Sequence, residues 1–124
     1  MPTFPHSRLI AYHRAADFVA LADGISAELP SGRGYLADQL RRAAASIQAN
    51  IAEGAGEFSP ADKTRFYRMA LRSAVECASH LDVCARLKLG DAGAVERALV
   101  ALGEVVALVT GLVKRFVPSG KGED

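Results

Sequence analysis

Tryptophan is absent from this 124-residue chain, and aromatic residues make up only 6% of it. Hydrophobic residues nevertheless reach 50%, with Ala and Leu dominant. A sheet would want more aromatic and β-branched side chains, so the composition predicts closely packed helices. Neither charge sign is in excess: 15 Lys and Arg against 14 Asp and Glu leave a formal net charge of +1. No strong field therefore draws the chain toward a polyanion or away from one. Cysteine is nearly missing. Cys77 and Cys84 stand seven residues apart in one predicted helix, about 10.5 Å of rise and too far for an intrachain bridge. The first residues, Met1-Pro-Thr-Phe-Pro5, show neither a basic segment nor an apolar one. Free thiols and no export signal lead us to expect a cytoplasmic protein. Internal repeats and low-complexity stretches are also lacking. The length suits one domain, large enough to bury a core.

Four helical segments can be read. The first runs from about Ser7 to Glu28, with Leu9, Tyr12, Ala16, Val19 or Ala20, and Ile25 facing inward. Pro30-Ser-Gly-Arg-Gly34 breaks it. The second runs from about Tyr35 to Gly54, and Gly54-Ala-Gly56 supplies C-cap candidates. The third starts at Ser59 as N-cap, with Pro60 in its first turn and Asp62 three residues on, and continues to about Leu89 before Gly90. The fourth spans about Ala92 to Val117 and stops at Pro118. Short connections make neighbours antiparallel, so the expected fold is all-α, an up-down-up-down four-helix bundle over residues 1–118. The tail, residues 119–124, has nothing to bury and is expected to be disordered.

The second helix carries two ordered faces. Leu36, Leu40, Ala43, Ala44, Ile47 and Ile51 form an apolar seam. Beside it, Gln39, Arg42, Ser46, Asn50 and Glu53 recur at the same spacing. A stripe of such mixed polar types suggests specific hydrogen-bond partners, since Lys and Glu would serve for solubility alone. In an antiparallel pairing with the third helix, one register sets Glu53 by Arg65, Asn50 by Met69, Ser46 by Ser73, Arg42 by Glu76 and Gln39 by His80. This predicts a structural polar network of Gln39, Arg42, Ser46, Asn50, Glu53, Ser73 and Glu76. Arg42 and Glu76 are expected to be buried and paired. Stranding either charge by deleting its partner would then cost about 3–5 kcal/mol.

The fourth helix is apolar nearly all round: from Ala98 to Val113 the only charge is Glu104. Sixteen residues fall short of the roughly 20 needed to cross a bilayer, and a mid-run glutamate opposes insertion. No membrane association is expected. Gly103, Ala107 and Gly111 recur every four residues and would allow another helix to come close. We expect burial on both sides, once in the bundle and once against another subunit, with Val105, Ala107, Val109 and Leu112 as interface candidates.

Chemistry is sought and mostly not found. Cys77, His80 and Cys84 share one face beside Glu76, but structural zinc sites pair a close Cys-x-x-Cys with a second cluster, and this chain has neither. Di-iron bundles carry two Glu-x-x-His motifs; Glu76 and His80 are spaced by three residues and occur once. Gly54-Ala-Gly56 lacks the Gly-Lys-Ser/Thr of a phosphate-binding loop. Ser46, Ser73, His6, His13 and His80 supply no recognisable nucleophile and base, and mid-helix serines usually bond back to the preceding turn. No catalytic residue, metal or cofactor is expected. Arg41, Lys63, Arg65, Arg68 and Arg72 gather on the second and third helices. They read either as a solvated, charge-balanced face or as a basic rim giving salt-dependent contacts to nucleic-acid phosphates.

These residues carry a resemblance. Gln39-x-x-Arg42-Ala-x-x-Ser46-Ile-x-x-Asn50-Ile-Ala-Glu-Gly54, followed by Phe66-x-x-x-Ala70-x-x-Ser73-x-x-Glu76, resembles the bacterial four-helix-bundle family of 23S rRNA intervening-sequence proteins. The likeness extends to Leu9-x-Ala-Tyr12-x-x-Ala15 and Pro30, and so covers most of the chain up to about Gly90. Arg72 stands where the family often has Gly, and Cys77 where it usually has an aliphatic residue. The resemblance implies a bundle that assembles into a barrel-like ring, typically a homopentamer, with no established enzymatic activity. A similar fold serves as the accessory protein of diversity-generating retroelements, where a positively charged pentamer contacts nucleic acid and a reverse transcriptase. The expected function is a non-enzymatic oligomeric scaffold, with nucleic acid or another protein as candidate partner. The alternative is a small-ligand or metal-binding bundle with latent enzyme activity.

Overall fold

A computed structural model describes residues 2–117; the predicted disordered tail lies outside the described residues. The described chain is a short 3-10 turn, Pro5–Arg8, followed by four helices: α1 (Ile10–Glu28), α2 (Gly34–Gly56), α3 (Pro60–Arg86) and α4 (Ala92–Phe116). α1 packs on α2 and α4, and α3 packs on the same two, so chain neighbours run antiparallel around a closed square. This is the expected up-down-up-down bundle.

The helix starts follow local chemistry. Ser59 Oγ accepts from the Asp62 amide at 3.0 Å with Pro60 in the first turn, as predicted. Asp91 does the same for α4, accepting from the Ala94 amide at 2.8 Å. α3 ends earlier than Leu89 because Lys88 turns into the left-handed region (φ 57°) and the Leu89 amide reaches back to the Cys84 carbonyl at 2.8 Å. A lysine tolerates this conformation with some strain, while the positive end it brings to a helix C-terminus is favourable.

The core is built from Phe18, Leu40, Ile47, Ile51, Tyr67, Leu81, Val105 and Val109, with alanines between them. On α1 the inward residues are Ala11, Ala15, Phe18, Ala22 and Ile25. That corrects the expected seam by about one position. Leu9, Tyr12, Ala16 and Val19 are only half-buried, and Ala20 is exposed. The reason is steric: small alanines let α1 approach its neighbours, and the larger residues flank the contact. On α4, Val105 and Val109 are 1% exposed and continue the inner seam of Val95, Ala98 and Leu102. They are thus core residues of the single chain, and cannot face another subunit as expected. The outward face carries Val100, Gly103, Glu104, Ala107 and Gly111. Leu112 lies half-buried at its edge.

Candidate functional site: the α2–α3 seam and the α3 ridge

The predicted polar stripe divides in two. Its centre is joined: Ser46 Oγ and Ser73 Oγ lie 2.8 Å apart across the α2–α3 seam. Asn50 Nδ2 donates to the Ser46 carbonyl at 2.9 Å and to its hydroxyl at 3.1 Å. Ser46 can therefore accept from Asn50 while donating to Ser73, and all three side chains are half-buried. Its ends are not joined. Gln39, Arg42, Glu53 and Glu76 are exposed, and no ion pair links Arg42 to Glu76 among the described residues. Glu76 instead meets His80 Nε2 at 3.1 Å on its own helix. Arg65 lies 3.5 Å from Asp62, one turn away on its own helix. The expectation of a buried Arg42–Glu76 pair is corrected: the short serines meet across the seam, while the long charged side chains one turn away reach water. With neither charge buried, deleting one of them strands nothing, and the cost of about 3–5 kcal/mol expected for a buried pair does not arise.

The cationic residues also sort themselves. Arg41 Nε donates to Asp23 at 2.8 Å and ties α2 to α1. Lys63 Nζ donates to the Gly54 and Ala55 carbonyls at 3.3 and 3.0 Å and stands 5.4 Å from the Phe116 ring centroid. It thus closes the C-terminus of α2, a structural task that sequence spacing did not reveal. Arg65 rests on the Phe66 ring at 4.4 Å. Arg68 and Arg72 are exposed and have no ion pair among the described residues. Arg65, Arg68 and Arg72 recur at i, i+3 and i+7, so they line one outer ridge of α3.

Gly54 is the second residue whose role was not legible. A Cβ placed there would stand 2.6 Å from Tyr67 Cε1 and 2.8 Å from Cδ1. The last turn of α2 can lie against the Tyr67 ring only because this position has no side chain. Burial pushes the Tyr67 phenol up, opposed by the nearby Arg115 guanidinium.

Cys77 and Cys84 are both buried free thiols. Burial, with Glu76 adding to it, pushes Cys77 from 9.0 up to about 12, and burial also raises Cys84. Neither forms a thiolate readily, so neither is a nucleophile at neutral pH. Among the described residues no group of three His, Cys, Asp or Glu could hold a metal ion. Two outcomes follow. At pH 8 a thiol reagent should label the native protein very slowly and the guanidinium-unfolded protein at once. The folded chain also keeps protons that the unfolded chain sheds, so stability should be full below about pH 9 and fall as pH rises toward 12, as urea melts across that range would read.

A cleft of about 500 Å³ opens where α3 meets α4, lined by Cys84, Leu89, Val95 and Leu99 with Lys88 and Glu96. It holds no convergent polar set of the kind a catalytic centre needs. No described helix is long and apolar enough to cross a membrane.

The comparisons agree with the four-helix fold. No curated protein matches the chain. Among solved structures, a protein of unknown function from the S23 ribosomal protein family of Bacteroides thetaiotaomicron superposes with a TM-score of 0.78. It is 21% identical, and the match covers 85% of this chain and 99% of that one. That likeness bears on the fold alone. The family described as 23S rRNA-intervening sequence protein matches residues 7–111. With a family match over residues 7–111, most of its length, the chain belongs to the 23S rRNA-intervening sequence protein family.

Proposed function

We propose that the protein is a non-enzymatic homo-oligomeric scaffold, a pentamer as the family resemblance implies, that holds nucleic acid on basic ridges repeated around the ring. The observation that carries this reading is the outer face of α4. Val100 is 67% exposed, and Gly103, Ala107 and Gly111 beside it present almost no side chain. The charge on this face is Glu104, which Arg14 meets at 3.4 Å, and the small, apolar positions around it suit close packing by a second helix. One subunit at net +1 attracts a polyanion weakly. A ring repeats the Arg65, Arg68 and Arg72 ridge, so several weak phosphate contacts act together.

Sedimentation equilibrium at micromolar concentration should give five times the chain mass. Ala107→Glu should give the monomer, because close approach there leaves no room for a solvated carboxylate. A wild-type monomer would refute the scaffold. In about 50 mM salt the assembled protein should bind RNA or DNA, with affinity that falls steeply as salt rises. Binding should vanish in the Ala107→Glu monomer. An intact oligomer that binds neither would remove nucleic acid as partner and leave a protein in its place.

A further inference from the structure

Phe58 is 98% exposed, more than any other large hydrophobic residue of the described chain. It stands in the bend between α2 and α3, immediately before the Ser59 cap that starts α3. A phenyl ring held in full contact with water at a capped helix start is stabilised by nothing in the subunit. From this point the exposed face of α3 carries Arg65, Arg68 and Arg72, covering about 10 Å along the helix axis. In sequence the aromatic precedes this line of cations, with only the Ser59 cap between it and the first turn of α3. Arg65 adds a flat guanidinium already seated on the Phe66 ring.

Resting on the nucleic-acid reading above, we infer that this ridge takes single-stranded nucleic acid, with Phe58 stacking on an unpaired base while Arg65, Arg68 and Arg72 follow the phosphates. Non-specific single-strand binders combine these two elements, an aromatic platform and a cationic track along the backbone. A duplex encloses its bases and offers the phenyl ring no face. An anionic lipid surface fits less well. Its headgroups form a plane, whereas Arg65, Arg68 and Arg72 recur in a line along one helix, the form of a single phosphodiester strand.

The absence of tryptophan makes the test direct, since Phe58→Trp introduces the only indole of the chain. Its full exposure means that substitution leaves the core untouched, which a thermal melt would confirm. In about 50 mM salt, a short oligouridylate should quench Phe58→Trp fluorescence along the binding curve. Phe58→Ala should weaken oligouridylate binding about tenfold or more, the loss expected when one base loses its stack. Affinity for duplex DNA should stay as it was. Arg68→Gln with Arg72→Gln should weaken both ligands alike. Oligouridylate binding with no quench and no effect of Phe58→Ala would overturn the stacking inference and leave the basic-ridge reading standing. Failure of every nucleic acid to bind would overturn both. Quenching by phosphatidylserine vesicles but not by oligouridylate would overturn it in favour of a lipid surface.

Discussion

Replacing Phe18 by alanine should lower the unfolding free energy by about 3–5 kcal/mol. Phe18 is fully buried and is the only aromatic residue on the inner face of α1, where Ala11, Ala15 and Ala22 share the seam. With neighbours so small, α1 has little else to fill the space, and the surrounding helices can relax only in part. The loss thus combines the transfer energy of the ring with the cavity it leaves. Urea melts of wild type and variant, at one fixed protein concentration because assembly couples to stability, would measure it. A loss below about 1 kcal/mol would mean that the bundle closes over the gap, contrary to a core packed at crystal-like density.

Gly54→Val should produce the next largest loss, about 1–3 kcal/mol or more. The new side chain enters the space of the Tyr67 ring, whose carbons would lie 2.6 and 2.8 Å from its Cβ. That ring cannot swing aside easily: Tyr67 is 1% exposed, and its centroid lies 6.2 Å from that of Phe116. Lys63 also ties the same turn of α2 to α3 through the Gly54 and Ala55 carbonyls. Gly54→Ala should cost less, because alanine recovers about 1 kcal/mol of helix propensity. Tyr67→Leu made together with Gly54→Ala should relieve the clash, so the two substitutions should be strongly non-additive in a double-mutant cycle. Additive losses would show that glycine is required there for backbone reasons alone.

Helix number, order and most boundaries were legible because they depend on local chemistry. Pro30 and the glycines beside it break the first helix, Ser59 with Pro60 starts the third, and period-3.6 apolar spacing marks the seam of α2. The Ser46–Ser73 contact was legible too, since short connections force antiparallel neighbours and a register follows. The register was less informative at its ends. Facing positions bring backbones level, but Arg42 and Glu76 are long enough to choose water over each other, and water is the cheaper partner for a charge.

Residue types, spacings and breakers by themselves determined an all-helical chain, four segments, their antiparallel order and the family to which the chain belongs. Only the tertiary structure decided which side of each helix is inner. In α4, where nearly every residue is apolar, hydrophobicity cannot distinguish Val105 and Val109, which are buried, from Val100, which is exposed. In α1 the tightest contact selects alanine over the larger residues beside it. The same holds for Gly54, for Lys63 on the carbonyls of α2 and for the exposed Phe58. Each depends on what another helix places, or fails to place, against that residue, and such proximity between distant segments is set by packing.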